Sequence, residues 1–259
     1  MQNSTTRRAV AKAVAVLGTA AIVAGTVGTA SANADVARSS QTATPAAYIS
    51  YLASSNEAGS AQTLRDFKAL SSSEQEKYLD YLNNPEVFKA LMEDASEPAT
   101  DTVASAKSVA TNDTTSLFGG DVVVESEHES TFTPDSTSDS TAGVQAKRKL
   151  SRGTHESTYT HTQKILGVTV TKLSVWVNYY TNGSKITKVN FADGGKRNYN
   201  AAVSISMGVP KAWKDGSYAN GSVVWEGSII YKGFGVSIDK RQKVWANEYG
   251  YRGGYLKNI

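Results

Sequence analysis

His128, His155 and His161 are the only imidazoles in this 259-residue chain, and all three fall inside one short span. His128 and His155 are each followed by a glutamate, and imidazole with carboxylate is a ligand set that suits zinc. If the segments carrying them pair as neighbouring strands, His128 and His155 could approach each other, with Glu129 and Glu156 on the opposite face. His155 and His161 share a face of one strand but lie six residues apart, about 20 Å at strand rise, which is too far for one ion. No His-x-x-x-His spacing occurs. The expectation is no metal and no cofactor, with the three histidines as solvent-facing strand residues.

Nucleophilic catalysis finds no better footing. There is no cysteine, no Gly-x-Ser-x-Gly and no histidine after residue 161, so a serine triad would have to take its base from the clustered three. A carboxylate pair flanking a glycosidic bond would draw on Glu156, Asp193, Asp215, Glu226, Asp239 and Glu248. Glu226 leads that set because Trp225 beside it could hold a sugar and raise the acid's pKa, although an ordinary strand-end charge is the expected role. Gly194-Gly195-Lys196-Arg197 opens no helix, so it reads as a turn and not as a phosphate cradle. No residue is assigned a catalytic role.

Binding chemistry is better represented. Aromatics including Trp213, Trp245, Tyr249 and Tyr255 are interleaved with Lys243, Arg252, Lys257 and other cations. The candidate ligand-binding residues are Lys211, Trp213, Lys214 and Tyr218, on a loop over 209–218, together with Trp225, Lys240 and Arg241. A tryptophan and two lysines on one loop are not what a core demands. The partners this chemistry fits are an anionic cell-wall polymer, an acidic polysaccharide or another secreted protein. Nucleic acid is the partner least expected.

Charge is sorted along the chain. Residues 35–145 hold 18 acidic residues against 6 Lys/Arg, a net of −12, and residues 146–259 hold 6 against 18, a net of +12. An acidic half tethered to a basic one could be its electrostatic partner in cis. Lys147-Arg148-Lys149 sits where the sign changes, at a place suited to proteolytic processing that would split an acidic leader from a basic domain.

The elements that must position these groups follow from patterning. Residues 1–34 read as a signal peptide: Arg7, Arg8 and Lys12 precede an Ala/Val/Gly/Thr stretch with small residues at Ala30, Ala32 and Ala34 for cleavage. The mature chain is therefore expected outside the cell, soluble, and without disulfides because it has no cysteine. Residues 35–95 form a small acidic helical module. Thr44-Pro45 starts one helix, Ala61 to Leu70 forms a second, Ser71 with Glu74 caps a third, and Asn84-Pro85 ends it and begins a fourth. Residues 96–120 are expected to be a flexible linker.

A basic all-β antiparallel domain is expected over 121–259, as a sandwich or barrel, with 121–132 as its first strand and 133–150 as a polar loop. Further strands fit 154–165, 168–180, 185–192, 198–207, 222–231, 235–247 and 250–257, and Asn182-Gly183 marks a hairpin. Two repeats accompany them. His128-Glu129-Ser130-Thr131-Phe132-Thr133 matches residues 155–160 except for Tyr159, and residues 167–180 match 235–249 with one extra residue, a β-bulge signal in the later copy. The leading reading is a secreted, non-enzymatic binding or adaptor protein whose basic β domain takes an anionic or carbohydrate surface polymer, or a secreted protein. The alternatives are a basic toxin or antimicrobial domain freed by cleavage near 147–149, and an extracellular hydrolase. The export signal, helical module and cysteine-free β domain together resemble exported bacterial proteins.

Overall fold

The computed structural model describes residues 41–93, 113–135, 149–231 and 234–259. The expected signal peptide, Ala32 and Ala34 among it, lies outside those residues, as do Lys147 and Arg148. The described chain is a small helical N-terminal part followed by an antiparallel β-rich part. Among the described residues no helix is long and apolar enough to cross a membrane.

Four helices come first: α1 (Pro45–Ser54), α2 (Ser60–Ala69), α3 (Ser72–Leu82) and α4 (Pro85–Glu93). The start signals act as their chemistry requires. Thr44 accepts from the Ala47 amide at 3.2 Å, with proline in the first turn. Ser71 Oγ accepts from the Glu74 amide at 3.3 Å and the Ser71 amide donates back to Glu74 Oε2 at 2.8 Å, closing a reciprocal box.

Ten strands follow: β1 (Asp113–Leu117), β2 (Val122–Pro134), β3 (Gly153–Ile165), β4 (Val168–Thr181), β5 (Ile186–Asn198), β6 (Val203–Met207), β7 (Lys211–Asp215), β8 (Tyr218–Tyr231), β9 (Phe234–Asn247) and β10 (Gly250–Asn258). One sheet has the order β1-β2-β3-β4-β5; the other runs β10-β9-β8-β6, with β7 also paired to β8. Alternation decides which face is inside. Leu173, Val175, Val177 and Tyr179 on β4 are buried with Val244 and Ala246 on β9 and Val223 and Trp225 on β8, in one core shared by both sheets. Gln242 crosses that core. Its Oε1 accepts from Trp225 Nε1 at 2.8 Å, and its Nε2 donates to the Tyr159 and Leu173 carbonyls of the other sheet at 3.2 and 3.1 Å.

The helices complete the inner face of the first sheet. Tyr48, Phe67, Tyr78, Leu79 and Leu82 form a second cluster with Val122, Ile165, Val168, Val170 and Tyr199 of the β part. Tyr48, Phe67 and Tyr78 pack edge-on or tilted at 4.9 to 5.6 Å, contacts worth about 0.5–1.5 kcal/mol each beyond their buried area. Hydrogen bonds fix the docking. Tyr48 donates to the Tyr199 carbonyl at 3.0 Å, and Asn200 Nδ2 donates to the Leu82 carbonyl at 3.1 Å. Lys77 and Asp121, both from the acidic half of the sequence, form an ion pair at this junction at 2.6 Å. Apolar burial and these hydrogen bonds join the two parts, together with the Asn198 amide donating to Glu57 Oε1 at 3.3 Å.

Several local expectations change in three dimensions. Residues 113–117, inside the expected linker, pair with β2 as a strand. The Gly194-Gly195-Lys196-Arg197 segment is not a turn: it lies within β5. Its glycines serve close approach, since a Cβ on Gly194 would sit 2.9 Å from Val223 Cγ2 and one on Gly195 3.4 Å from Trp176. The 209–218 loop contains the five-residue strand β7 and, at Tyr218, the start of β8. In the second repeat β9 pairs with β8 in unbroken register; among the described residues the register shifts fall at Val170 in the earlier copy, at Asn190 and Thr187 in β5, and at Arg252 in β10.

Candidate functional site

The outer face of the second sheet gathers the aromatic and cationic side chains. Antiparallel pairing sets Trp213 opposite Asn220, Asn220 opposite Trp245, and Trp245 opposite Gly253, a single row across β7, β8, β9 and β10. The adjacent row is Lys211, Ser222, Lys243 and Tyr255, and beyond it come Val224, Arg241 and Lys257. Strand spacing of about 4.8 Å puts the Trp213 and Trp245 backbones roughly 10 Å apart, with β8 between them.

Lys243 ties the rows together. Its Nζ lies 5.3 Å from the ring centroid of Trp213 and 5.3 Å from that of Trp245. Lys257 sits 4.5 Å over the Tyr255 ring. Such cation–aromatic contacts orient flexible ammonium groups and are worth about 0.5–1 kcal/mol each at exposed positions. Trp245 lies flat on the sheet, because a Cβ on Gly253 would be 2.3 Å from its Cζ2. An aromatic laid over a strand glycine covers backbone that would otherwise be open. Trp213 is 38% exposed and presents an open ring.

Of the expected ligand residues, Lys211, Trp213 and Arg241 stand on this face, all exposed. Tyr218 is half-buried one row beyond Trp213, where β7 turns into β8 opposite Asp215. Lys214 points to the other side of β7 and donates to the Gly216 carbonyl at 2.6 Å. Trp225 and Lys240 do not join them. They are 0% and 2% exposed and face the core, because β8 and β9 alternate and these two share the inner parity with Val223 and Val244. Trp245, Lys243, Tyr255 and Lys257 belong to the interleaved aromatic and basic set, and the pairing register joins them to the face. Asn220 gives no sequence signal, and only its place between two tryptophans draws notice.

The other chemistry disperses. β2 and β3 pair so that His128 faces Tyr159 and His155 faces Phe132, which separates the two histidines by four residues along the ladder. His155 stacks on Phe132 at 4.5 Å, and its Nε2 lies 2.8 Å from the Ser151 carbonyl oxygen. His128 stacks on Tyr251 at 4.4 Å. His161 is fully buried, with Nδ1 3.2 Å from Ser126 Oγ. His155 and His161 are therefore interior residues, since both follow the inward parity of β3. Burial pushes the His128 and His155 imidazoles below their ordinary range, the Ser151 contact acting the other way at His155. Among the described residues no group of three or more His, Asp or Glu could hold a metal ion. Glu226 is exposed on the outer face opposite Asp239 and accepts from Ser206 Oγ at 3.2 Å. Lys149 is exposed, its Nζ donating to the Ser184 carbonyl at 2.8 Å.

The face offers an exposed indole beside cations held over aromatic rings, while the hydroxyl–imidazole contact between Ser126 and His161 lies buried between β2 and β3. Compared with known proteins, the chain matches no family model, no curated protein and no solved structure.

Proposed function

We propose that this is a secreted, non-enzymatic binding or adaptor protein whose outer β face takes an anionic or carbohydrate polymer of the cell surface. The observation that carries the reading is the Trp213–Lys243–Trp245 arrangement, two indoles sharing one ammonium, flanked by Lys211, Arg241 and Lys257. The two stacked sheets, read as a β-sandwich, give that face a rigid base. A flat, cation-rich surface with an open ring suits an extended chain more than a compact small molecule, which binds in a concave pocket.

The test is saturable binding of the full-length protein to isolated cell-wall polymer and to acidic polysaccharide. Loss of binding in Trp213→Ala with Lys211→Ala, and weakening as salt rises, is the expected result. Unchanged binding in that double variant would remove the face from the function, and absence of binding to every polymer and secreted protein tried would sink the reading.

The released-toxin alternative has less support. β2 pairs with β3 over thirteen residues and the helices share a core with β3 and β4, so a cut between β2 and β3 leaves an intact interface to be broken. A hydrolase built on Glu226 would place its acid on an exposed sheet face, where Glu226 accepts from Ser206 and stands opposite Asp239.

A further inference from the structure

A pocket of about 230 Å³ opens between α2 and the first sheet, on the other sheet from the Trp213 face. Strand register builds its floor. Glu125 pairs with Thr162, Thr162 with Lys172 and Lys172 with Arg197, one row across β2, β3, β4 and β5, and Glu127 stands two residues further along β2 on the same side. Thr162, in the middle of that row, is 6% exposed. Asp66 of α2 adds a third carboxylate to the lining and accepts from Gln62 Nε2 at 2.6 Å.

The charges gathered here do not neutralise one another. Lys164 pairs with Glu125 at 2.7 Å, but Lys172, Arg197, Glu127 and Asp66 make no ion pair among the described residues, although all four line one pocket. Lys172 and Arg197 also stand directly opposite each other across the β4–β5 ladder, a placement in which like charges destabilise a sheet. A surface that only had to face water would avoid that opposition. An anionic group between the two cations removes it.

We infer that this pocket binds a zwitterionic ligand of dipeptide size, its carboxylate on Lys172 and Arg197 and its ammonium on Glu127. The site lies on the other sheet, so it stands or falls apart from the polymer face. Size follows from the volume and the register. Drug-sized ligands occupy pockets of about 300–1,000 Å³, so this one takes a smaller molecule. Strand spacing of about 4.8 Å over two ladders and a rise of about 3.4 Å over two positions put Glu127 and Lys172 roughly 12 Å apart. A dipeptide about 7 Å long, with a charge-assisted hydrogen bond of about 2.8 Å at each end, spans the same distance. A single amino acid carries both charges on one carbon and cannot reach both walls. Inorganic phosphate would answer the cations, but three carboxylates line the same pocket and count against it.

The experiment is a heteronuclear NMR titration of the full-length protein with alanylalanine, its N-acetylated form, its C-terminal amide, free alanine and inorganic phosphate. The expected result is saturable shifts at the Thr162 and Lys172 amides with alanylalanine, and binding about tenfold weaker for each of the other four, the loss that removal of a charged hydrogen bond brings. Lys172→Gln is expected to weaken alanylalanine and to abolish its preference over the amide, while Glu127→Gln abolishes its preference over the acetylated form. A merely structural role would not change the preference at one end of the ligand alone. Lys172→Gln is also expected to melt no lower than wild type, since it removes one of two opposed like charges, and Trp213→Ala is expected to leave the titration unchanged. Phosphate bound as tightly as alanylalanine would overturn the ligand class, and alanine bound as tightly would overturn its size. Both preferences kept in the two variants, or no saturable shift with any probe, would overturn the site.

Discussion

The His155 imidazole stacks on the Phe132 ring at 4.5 Å, directly across the β2–β3 ladder. The pair is a product of the six-residue repeat. Two copies of one sequence laid antiparallel put the first residue of each opposite the fifth residue of the other, so His128 faces Tyr159 while His155 faces Phe132. Duplication therefore made two histidine–aromatic cross-strand pairs instead of one histidine pair.

These pairs predict an acid-sensitive fold. His128 and His155 both have imidazole pKa values depressed by burial from an ordinary 6.5. As pH falls through 6.5 the unfolded chain takes up protons first, so stability declines from that point and levels off once the folded state is protonated as well. Asp121 and Asp135 are held below the ordinary carboxylate 3.8, so their contribution is lost only in a lower, separate window. Denaturant melts between pH 7 and 5 should show the decline in wild type and its loss in His128→Gln with His155→Gln. A flat profile in wild type would refute the claim.

Gln242 predicts a large effect from one polar residue in the core. Gln242→Leu keeps the approximate size but strands the Trp225 Nε1 donor and removes two bonds that link the sheets. An orphaned buried donor alone costs about 1–3 kcal/mol, so a loss of roughly 3 kcal/mol in urea unfolding is expected, with the midpoint shifted and the slope kept. A loss below about 0.5 kcal/mol, the range of ordinary surface substitutions, would show that the bridge adds little.

What the sequence disclosed divides along physical lines. Helix starts were legible because capping is local: Thr44, Ser71 and Glu74 carry their partners within three residues. The antiparallel β character was legible from alternation, and Asn182-Gly183 does lie in a hairpin turn, with Gly183 at φ +89°. Parity relative to the core was not legible. Trp225 and Trp245 both stand on long strands directly after a valine, yet only the pairing register decides that the first is inside and the second outside. Gly194 misled for a related reason, since close packing against Val223, and not positive φ, requires it. Contact between the helical and β parts depends on side chains more than a hundred residues apart, such as Tyr48 and Tyr199, which no local pattern joins.

That contact makes the helical part necessary to the β part. Residues 113–259 produced alone would uncover Val122, Ile165, Val168 and Val170, which the helices now bury. Each such side chain is worth about 1.5–3 kcal/mol when buried. The fragment is expected to bind a hydrophobic dye and to melt without a cooperative transition. A sharp transition near that of the full chain would mean the β part stands by itself.

Cleavage near Lys149 is expected to nick the protein without dividing it. Limited trypsin treatment should give two bands under denaturing conditions that co-elute as one species in native size exclusion, because the β2–β3 ladder and the helix–sheet core survive the cut. Separation of the fragments in native buffer would instead favour a releasable basic domain.

Gly253 tests whether the flat seat of Trp245 matters to recognition. Gly253→Val places a branched side chain where a Cβ alone would stand 2.3 Å from Cζ2, so the indole must lift from the sheet. Lifting it pulls Trp245 from Lys243 and frees that ammonium from one of its two rings. Because β10 is at the edge of its sheet and the outer face is open, the backbone need not move, and the melting temperature should drop by only a few degrees. Polymer affinity is expected to fall about tenfold, with a shift in tryptophan fluorescence, while Ser184→Ala, an exposed site in the turn between β4 and β5 of the other sheet, leaves affinity unchanged. Equal affinity in Gly253→Val and wild type would show that Trp213 and its lysines recognise the polymer without Trp245.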